Sequence, residues 1–413
     1  MSILTLANRF ARKPSAAPEP KLDLRIGIPK VPNIWSTHQF WMGFFTELGI
    51  DPLAIVFSSD TSEEQNRQFG KGRGTVDCCY PVKCISGHYG ELVFDQRKKI
   101  DILFSPMIYT LPSFLLGHVA QTLSCPRVMA APENIKAGFL KEKDIFAENG
   151  IRHVAPLVSL AEPLLVPKQL YDGLKEAIPG LTLEQTKAAV DEGYRTLEAF
   201  NDKLRKKSRE ILARCAQENK PCLLVLARPY HMDTGIGHEI EVDLQAYGYP
   251  VLWMQYLPAD RELMDWLFGA EIQAGIIKSA FDISDVWGSS YSSNTNEILW
   301  GAKVAARIPW IACVIRLSSY ECGMDQPTYT PVQQIVERSA TLFFSFQELD
   351  STKPAGSVKI RVETIAHYLE KYAAEIIEKK KTAAANCPLI ANAAELPSAS
   401  GGARILAPSE LGA

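Results

Sequence analysis

Short apolar runs alternate with helix-patterned stretches along most of this chain, and that alternation limits its fold more than any other feature. Leu24-Arg25-Ile26-Gly27-Ile28 is followed by a helical pattern from Thr37 to Leu48, then by Leu53-Ala54-Ile55-Val56-Phe57. The series continues with a helix near Val82 to Phe94, a strand at Asp101 to Phe104, and apolar runs around Arg127 to Ala130 and His153 to Leu157. Strands separated by helices of this length predict a parallel α/β sheet.

From Thr182 to about Asn219 the pattern changes. Thr182 and Gln185 have capping-box spacing, and Val190, Tyr194, Leu197, Leu204 and Ile211 recur at helical intervals along a charged segment, which predicts one long connecting helix. A second α/β unit follows, with strands expected at Cys222 to Ala227, Pro250 to Met254, Pro309 to Arg316 and Thr341 to Phe344, and a closing helix from Ser357 to Lys379. The organisation expected is an N-terminal lobe over 23–165, a helical connector over 166–220 and a second lobe over 221–379, with a cleft between the lobes. Residues 1–22 and 380–413, rich in Ala, Ser and Pro with little apolar period, read as disordered tails. The Lys379–Lys381 run reads as a solvated helix end.

The 413 residues carry 44 Lys and Arg against 47 Asp and Glu, a balance that argues against a nucleic-acid-binding surface and for small-molecule or protein partners. No stretch is apolar enough to span a bilayer and the first twenty residues lack a signal-peptide core, so the expected location is the cytoplasm, away from the membrane. In that reducing compartment nine cysteines point to metal ligation or thiol chemistry rather than to disulfides.

The densest feature is Asp77-Cys78-Cys79-Tyr80-Pro81-Val82-Lys83-Cys84, three thiols at the start of a predicted helix. Helix N-termini favour thiolate, the form that binds soft metals. Cys125, before Pro126, and Cys322, before Gly323, occupy loops beside predicted strands, and ligands of open parallel sheets collect at the carboxyl ends of strands. Cys79, Cys125 and Cys322 are therefore the expected metal ligands, with Cys78 and Cys84 as further candidates. Cys222 and Cys313 lie inside apolar strands and read as small hydrophobes, with Cys215 and Cys387 equally inert. The spacing lacks the two close pairs of a structural zinc site and the dense run of a ferredoxin, which leaves a cluster held by scattered cysteines.

No G-x-x-x-x-G-K-[ST] phosphate loop occurs, and Gly70, Gly72 and Gly74 lack the strand and helix context of a nucleotide fingerprint. The segment Arg228 to Glu239 offers Arg228 as a grip for phosphate or carboxylate and His231 or His238 as proton carriers. Gly235 and Gly237 would permit close backbone approach to a ligand. His88 would share the helix face of Cys84, and Lys83 would offset cluster charge. Asn294 and Glu297, opening a helical stretch, read as capping residues.

Five segments carry a family resemblance: Arg25-Ile26-Gly27-Ile28-Pro29-Lys30, Cys79-Tyr80-Pro81-Val82-Lys83, Cys125-Pro126, Arg228-Pro229-Tyr230-His231 and Glu321-Cys322-Gly323-Met324-Asp325. Over residues 23–375 the chain resembles the activase-related proteins allied to 2-hydroxyacyl-CoA dehydratase subunits, including double-cubane cluster proteins. The resemblance implies two flavodoxin-like, Rossmann-like parallel-sheet lobes holding an iron-sulfur cluster in the cleft, either [4Fe-4S] or a double cubane. It places Cys79, Cys125 and Cys322 on the motif cysteines. It also implies a separate ATP-dependent activator as electron donor, since the nucleotide-binding domain of longer relatives is absent from this sequence, and a small-molecule or acyl-CoA substrate. The expected role is an iron-sulfur redox component or enzyme; the alternative is a non-catalytic scaffold with a structural cluster that docks an activase or dehydratase. Either role is compatible with a homodimer.

Overall fold

The computed structural model describes residues 22–74, 79–288, 290–350, 355–382 and 389. Its two main sheets are wholly parallel. In the N-terminal lobe β1 (Ile26–Ile28), β2 (Ile55–Phe57), β3 (Ile102–Phe104) and β5 (Arg152–Val154) stand in the order β2-β1-β3-β5. In the second lobe β7 (Cys222–Leu226), β8 (Val251–Trp253), β9 (Ile311–Ser319) and β10 (Leu342–Leu349) stand in the order β10-β9-β7-β8. Numbered by chain order within its own lobe, each sheet reads 2-1-3-4, the flavodoxin-like order, with its switch point between the first and third strands. Pro106 and Pro156 interrupt β3 and β5, and the two strands resume as a small parallel pair, β4 (Met107–Thr110) with β6 (Leu157–Ser159).

The helices bury one face each against these sheets. In α1 (Ile34–Glu47), Phe40, Trp41, Phe44 and Phe45 recur at helical spacing and join Ile26, Ile28 and Phe104 in the N-terminal core. Next come α2 (Tyr80–Phe94), α3 (Pro126–Phe139) and α4 (Val166–Leu174). The connector α5 (Leu183–Glu218) starts at the expected capping box, Gln185 N donating to Thr182 Oγ1 and Gln185 Oε1 accepting from Thr182 N. Its first half places Ala189, Val190, Tyr194 and Leu197 in the N-terminal core, and its last turns place Ile211, Leu212, Cys215 and Ala216 in the core of the second lobe. The helix belongs to both lobes. The second lobe adds α6 (Arg261–Gln273), α7 (Ser293–Arg307), α8 (Tyr329–Glu337) and α9 (Ala355–Lys381).

Four local features differ from the sequence reading. Arg127–Ala130 belongs to a helix, because Pro126 occupies the first turn, where no N–H is needed and its fixed φ suits the helix. Within the expected connector, α4 packs Val166, Leu170 and Leu174 into the N-terminal core, and α5 carries the chain from that core to the second one. Strand β9 runs on to Ser319 because Arg316 is neutralised inside it. Lys380, placed in a tail, is buried instead, its Nζ donating to Ala305 O, Ile311 O and Thr341 Oγ1 at 2.7–2.9 Å. Residues 1–21, 383–388 and 390–413, most of the two tails, lie outside the described residues. Among the described residues no helix is long and apolar enough to cross a membrane.

Candidate functional site

Three of the expected thiols stand where turns begin. Cys79 immediately precedes α2, and its carbonyl accepts from Val82 N and Lys83 N at 3.0 and 3.2 Å. Cys125 immediately precedes α3, its carbonyl accepting from Met129 N at 2.9 Å. Past the end of β9, the carbonyl of Cys322 accepts from Asp325 N and Gln326 N at 3.1 and 3.3 Å. Neither Cys79 nor Cys125 caps its helix through sulfur, so both sulfurs remain at the positive end of a helix dipole. Burial pushes the Cys322 thiol up and Arg228 pulls it back down. None of the seven described cysteines forms a disulfide.

Two loops bring these thiols toward one another. A strap from the N-terminal lobe ends at Cys125: Leu123 bridges Thr110 on one side and Ser292 on the other, with Leu123 N on Tyr291 O and Ser293 N on Leu123 O at 2.8 and 3.0 Å. The strap is fixed further by Asn33 Nδ2 donating to Ser124 Oγ and by Ser113 Oγ donating to Glu297 Oε1, both at 2.7 Å. From the second lobe, the segment after β7 carries Arg228 and Tyr230 to the switch point beside Cys322. Arg228 stands within electrostatic reach of Cys322 and Cys125, and Tyr230 within reach of Cys322 and Cys79. Arg228–Tyr230 is thus common ground for all three thiols.

A buried ion-pair network fixes that segment. Arg228 Nε and Nη2 lie 3.0 and 2.9 Å from Asp325 Oδ1, and Nη2 also donates to Thr295 Oγ1 at 3.1 Å. Asp325 in turn accepts from Ser318 Oγ at 2.9 Å and faces Arg316 Nη2 at 3.3 Å. Burial opposes charge on Asp325, but the two guanidiniums hold its carboxyl well below the usual carboxylate range. Burial, with the nearby Cys322, pushes the Tyr230 hydroxyl up, so it remains a donor. Tyr230, Thr295, Ser318 and Arg316 were not among the candidates read from the sequence. Their roles depend on contacts across strands and loops that no local spacing announces.

The other candidates fall in different surroundings. Cys84 is buried with Trp35, Tyr230, Met232 and Ile236, and burial pushes its thiol up, an environment that favours the neutral form. Cys78 lies outside the described residues, as does Cys387. His231 is fully buried with Nδ1 against Arg228 O at 3.2 Å and Nε2 against Ser319 Oγ at 3.1 Å, and burial lowers its pKa to about 3. His88, also fully buried, joins Ser58 Oγ and Thr61 Oγ1 at 2.8 and 2.9 Å, and burial lowers its pKa to about 4. Both rings brace loops, and burial favours the neutral form of each. Lys83 is exposed. A Cβ at Gly235 would lie 2.1 Å from Thr61 O, and one at Gly237 would lie 1.9 Å from His231 O. What comes close to these glycines is the protein's own backbone. Glu297, read as a cap, is instead a buried acceptor for Ser113, Ser293 and Asn294.

Asp233, which the sequence did not single out, fastens this segment to the other lobe. Its carboxylate accepts from Thr61 N at 3.0 Å as well as from Gly235 N and Ile236 N at 3.0 and 3.1 Å, and burial pushes its pKa up to about 6. Among the described residues no group of three or more His, Cys, Asp or Glu side chains is placed to hold a single metal ion. A four-iron cluster is a different case, because iron and sulfide stand between its thiolates and keep them apart.

A family model described as the CoA enzyme activase uncharacterised domain matches residues 25–257, which takes in the N-terminal lobe, the connecting helix and the Arg228–Gly237 segment. The chain belongs to this CoA enzyme activase family. No curated protein matches it. Within the CoA enzyme activase domain lie Cys79, Cys125 and Arg228, whereas Cys322 and Asp325 follow it in the chain. The thiol donors, the helix dipoles behind two of them and the buried cation beside them form a set whose chemistry fits an anionic iron-sulfur cluster.

Proposed function

We propose that the protein is an iron-sulfur redox component of the 2-hydroxyacyl-CoA dehydratase and activase group, receiving low-potential electrons from a separate ATP-dependent activator and passing them to a small or CoA-linked substrate. The observation that supports this reading most directly is the arrangement around Arg228–Tyr230, to which thiols more than 240 positions apart in the chain, Cys79 and Cys322, are both drawn. When bound, a cluster supplies single-electron transfer. The chain's own residues do the rest. Cys79, Cys125 and Cys322 would hold it, Tyr230 presents a protonated hydroxyl in the same space, and Arg228 supplies positive charge. His88 and His231 keep the loops in place while remaining neutral.

Iron and sulfide counts on anaerobically purified protein, with paramagnetic and visible spectra, test the proposal. About four irons per chain support a single cubane and about eight a double one. A colourless protein fully loaded with zinc ends the reading. The isolated chain should show no ATPase activity, and its cluster should become reducible when a cognate activator, ATP and an electron donor are added. Perturbation of the spectrum by cyanide or azide would indicate an open iron, whereas no response would favour the scaffold role.

A further inference from the structure

In the sequence Arg228 has the look of a grip for a substrate phosphate or carboxylate, but its surroundings suit another task. The residue is 2 % exposed, so it faces no solvent-borne anion at the surface. Its Nε and Nη2 are engaged by Asp325 and Thr295. Asp325 is shared with a second buried guanidinium, Arg316, whose Nε makes no hydrogen bond. Two cations therefore divide one carboxylate. A second buried carboxylate within reach of Arg228, Glu297, is already engaged by Ser113, Ser293 and Asn294. Asp325, whose backbone N donates to Cys322 O at 3.1 Å, ties the guanidinium to the Cys322 turn, and both Cys322 and Cys125 stand within electrostatic reach of Arg228.

We infer that Arg228 is the charge-compensating residue of the thiol site, a fixed cation that makes a cluster held by Cys79, Cys125 and Cys322 easier to reduce. The inference rests on the cluster reading given above. Each electron added to a thiolate-ligated cluster adds negative charge, and a guanidinium nearby stabilises the reduced form more than the oxidised one. An arginine suits the task because it stays protonated even when buried, and its planar fork lets Asp325 fix it in one orientation.

The test is a redox titration of the full chain, loaded with cluster under anaerobic conditions and followed by paramagnetic resonance, in the wild type and in Arg228→Gln, Arg228→Lys and Asp325→Asn. Arg228→Gln should keep the wild-type iron count and move the midpoint potential to more negative values. Arg228→Lys, which keeps the charge, should stay near the wild type. Asp325→Asn removes the opposing charge and should move the midpoint the other way, a reversal of sign that simple loosening of the site does not produce. Iron-loaded Arg228→Gln with an unmoved midpoint overturns the inference and leaves the cluster reading intact. Equal shifts in the Gln and Lys variants, or a negative shift in Asp325→Asn, also overturn it by assigning Arg228 a purely structural role. Wild-type protein that binds no iron under any loading condition sinks both.

Discussion

Glu241 shows how far one carboxyl can depart from its ordinary behaviour without belonging to a site. The residue is only partly covered, yet its Oε2 is buried without a hydrogen-bond partner, and burial pushes its pKa from 4.5 up to about 7. Below pH 4.5 the folded and unfolded chains both carry the proton. Between pH 4.5 and about 7 the folded chain keeps a proton that the unfolded chain has released, so stability falls as the pH rises through this window and levels off above it. Glu241→Gln should therefore raise stability by about 1–3 kcal/mol at pH 8, with the gain fading toward pH 5, in thermal melts across that range. At the thiols the contrast is one of kind. On the proposed reading, Cys79→Ser, Cys125→Ser or Cys322→Ser should each strip or convert a bound cluster, because a hard hydroxyl is a poor ligand for iron. Cys215→Ser should leave the iron count unchanged, and equal loss in all four variants would indicate unfolding. The turn placement of Cys79, Cys125 and Cys322 could be read from the sequence, because each lies beside a proline, a glycine or a polar turn. Arg316 could not, since a charged residue reads as the end of a strand until Asp325, nine positions later, is known to lie against it.

At the level of elements, α1 and α5 fit closely against each other. A Cβ added at Gly43 would lie 2.5 Å from Thr196 Oγ1, and one at Gly193 would lie 2.8 Å from Phe40 O. The two glycines let the helices interlock. Alanine favours a helix over glycine by about 1 kcal/mol, so propensity alone predicts that Gly193→Ala stabilises the protein. The contact predicts the reverse: Gly193→Ala should cost about 1–3 kcal/mol in denaturant titrations, and a stabilised variant would refute the interlock. Most elements were visible in the sequence, since periodicity and the Thr182–Gln185 cap depend on near neighbours. Errors arose where a distant partner decides the outcome. The Lys379–Lys381 run has the look of a solvated helix end, and only the carbonyls of Ala305 and Ile311 disclose that Lys380 turns inward.

For the molecule as a whole, the two lobes meet on backbone as well as on side chains. Thr61 of the first lobe is held by Asp233 and closely approached by Gly235 of the second. Gly235→Val should force them apart there, enlarging the radius of gyration in small-angle scattering while the circular dichroism of the separate lobes persists. An unchanged radius would mean that the contact yields locally. The long helix α5 limits how any such separation can proceed. It has 36 residues, so it is about 54 Å long, and each end is embedded in a different hydrophobic core. A flexible linker would let the lobes swing about a point, whereas a continuous rod anchored at both ends resists that rotation. Relative motion of the lobes is then expected as sliding along the faces of α5, a shear in which packed side chains change neighbours and the rod itself stays straight.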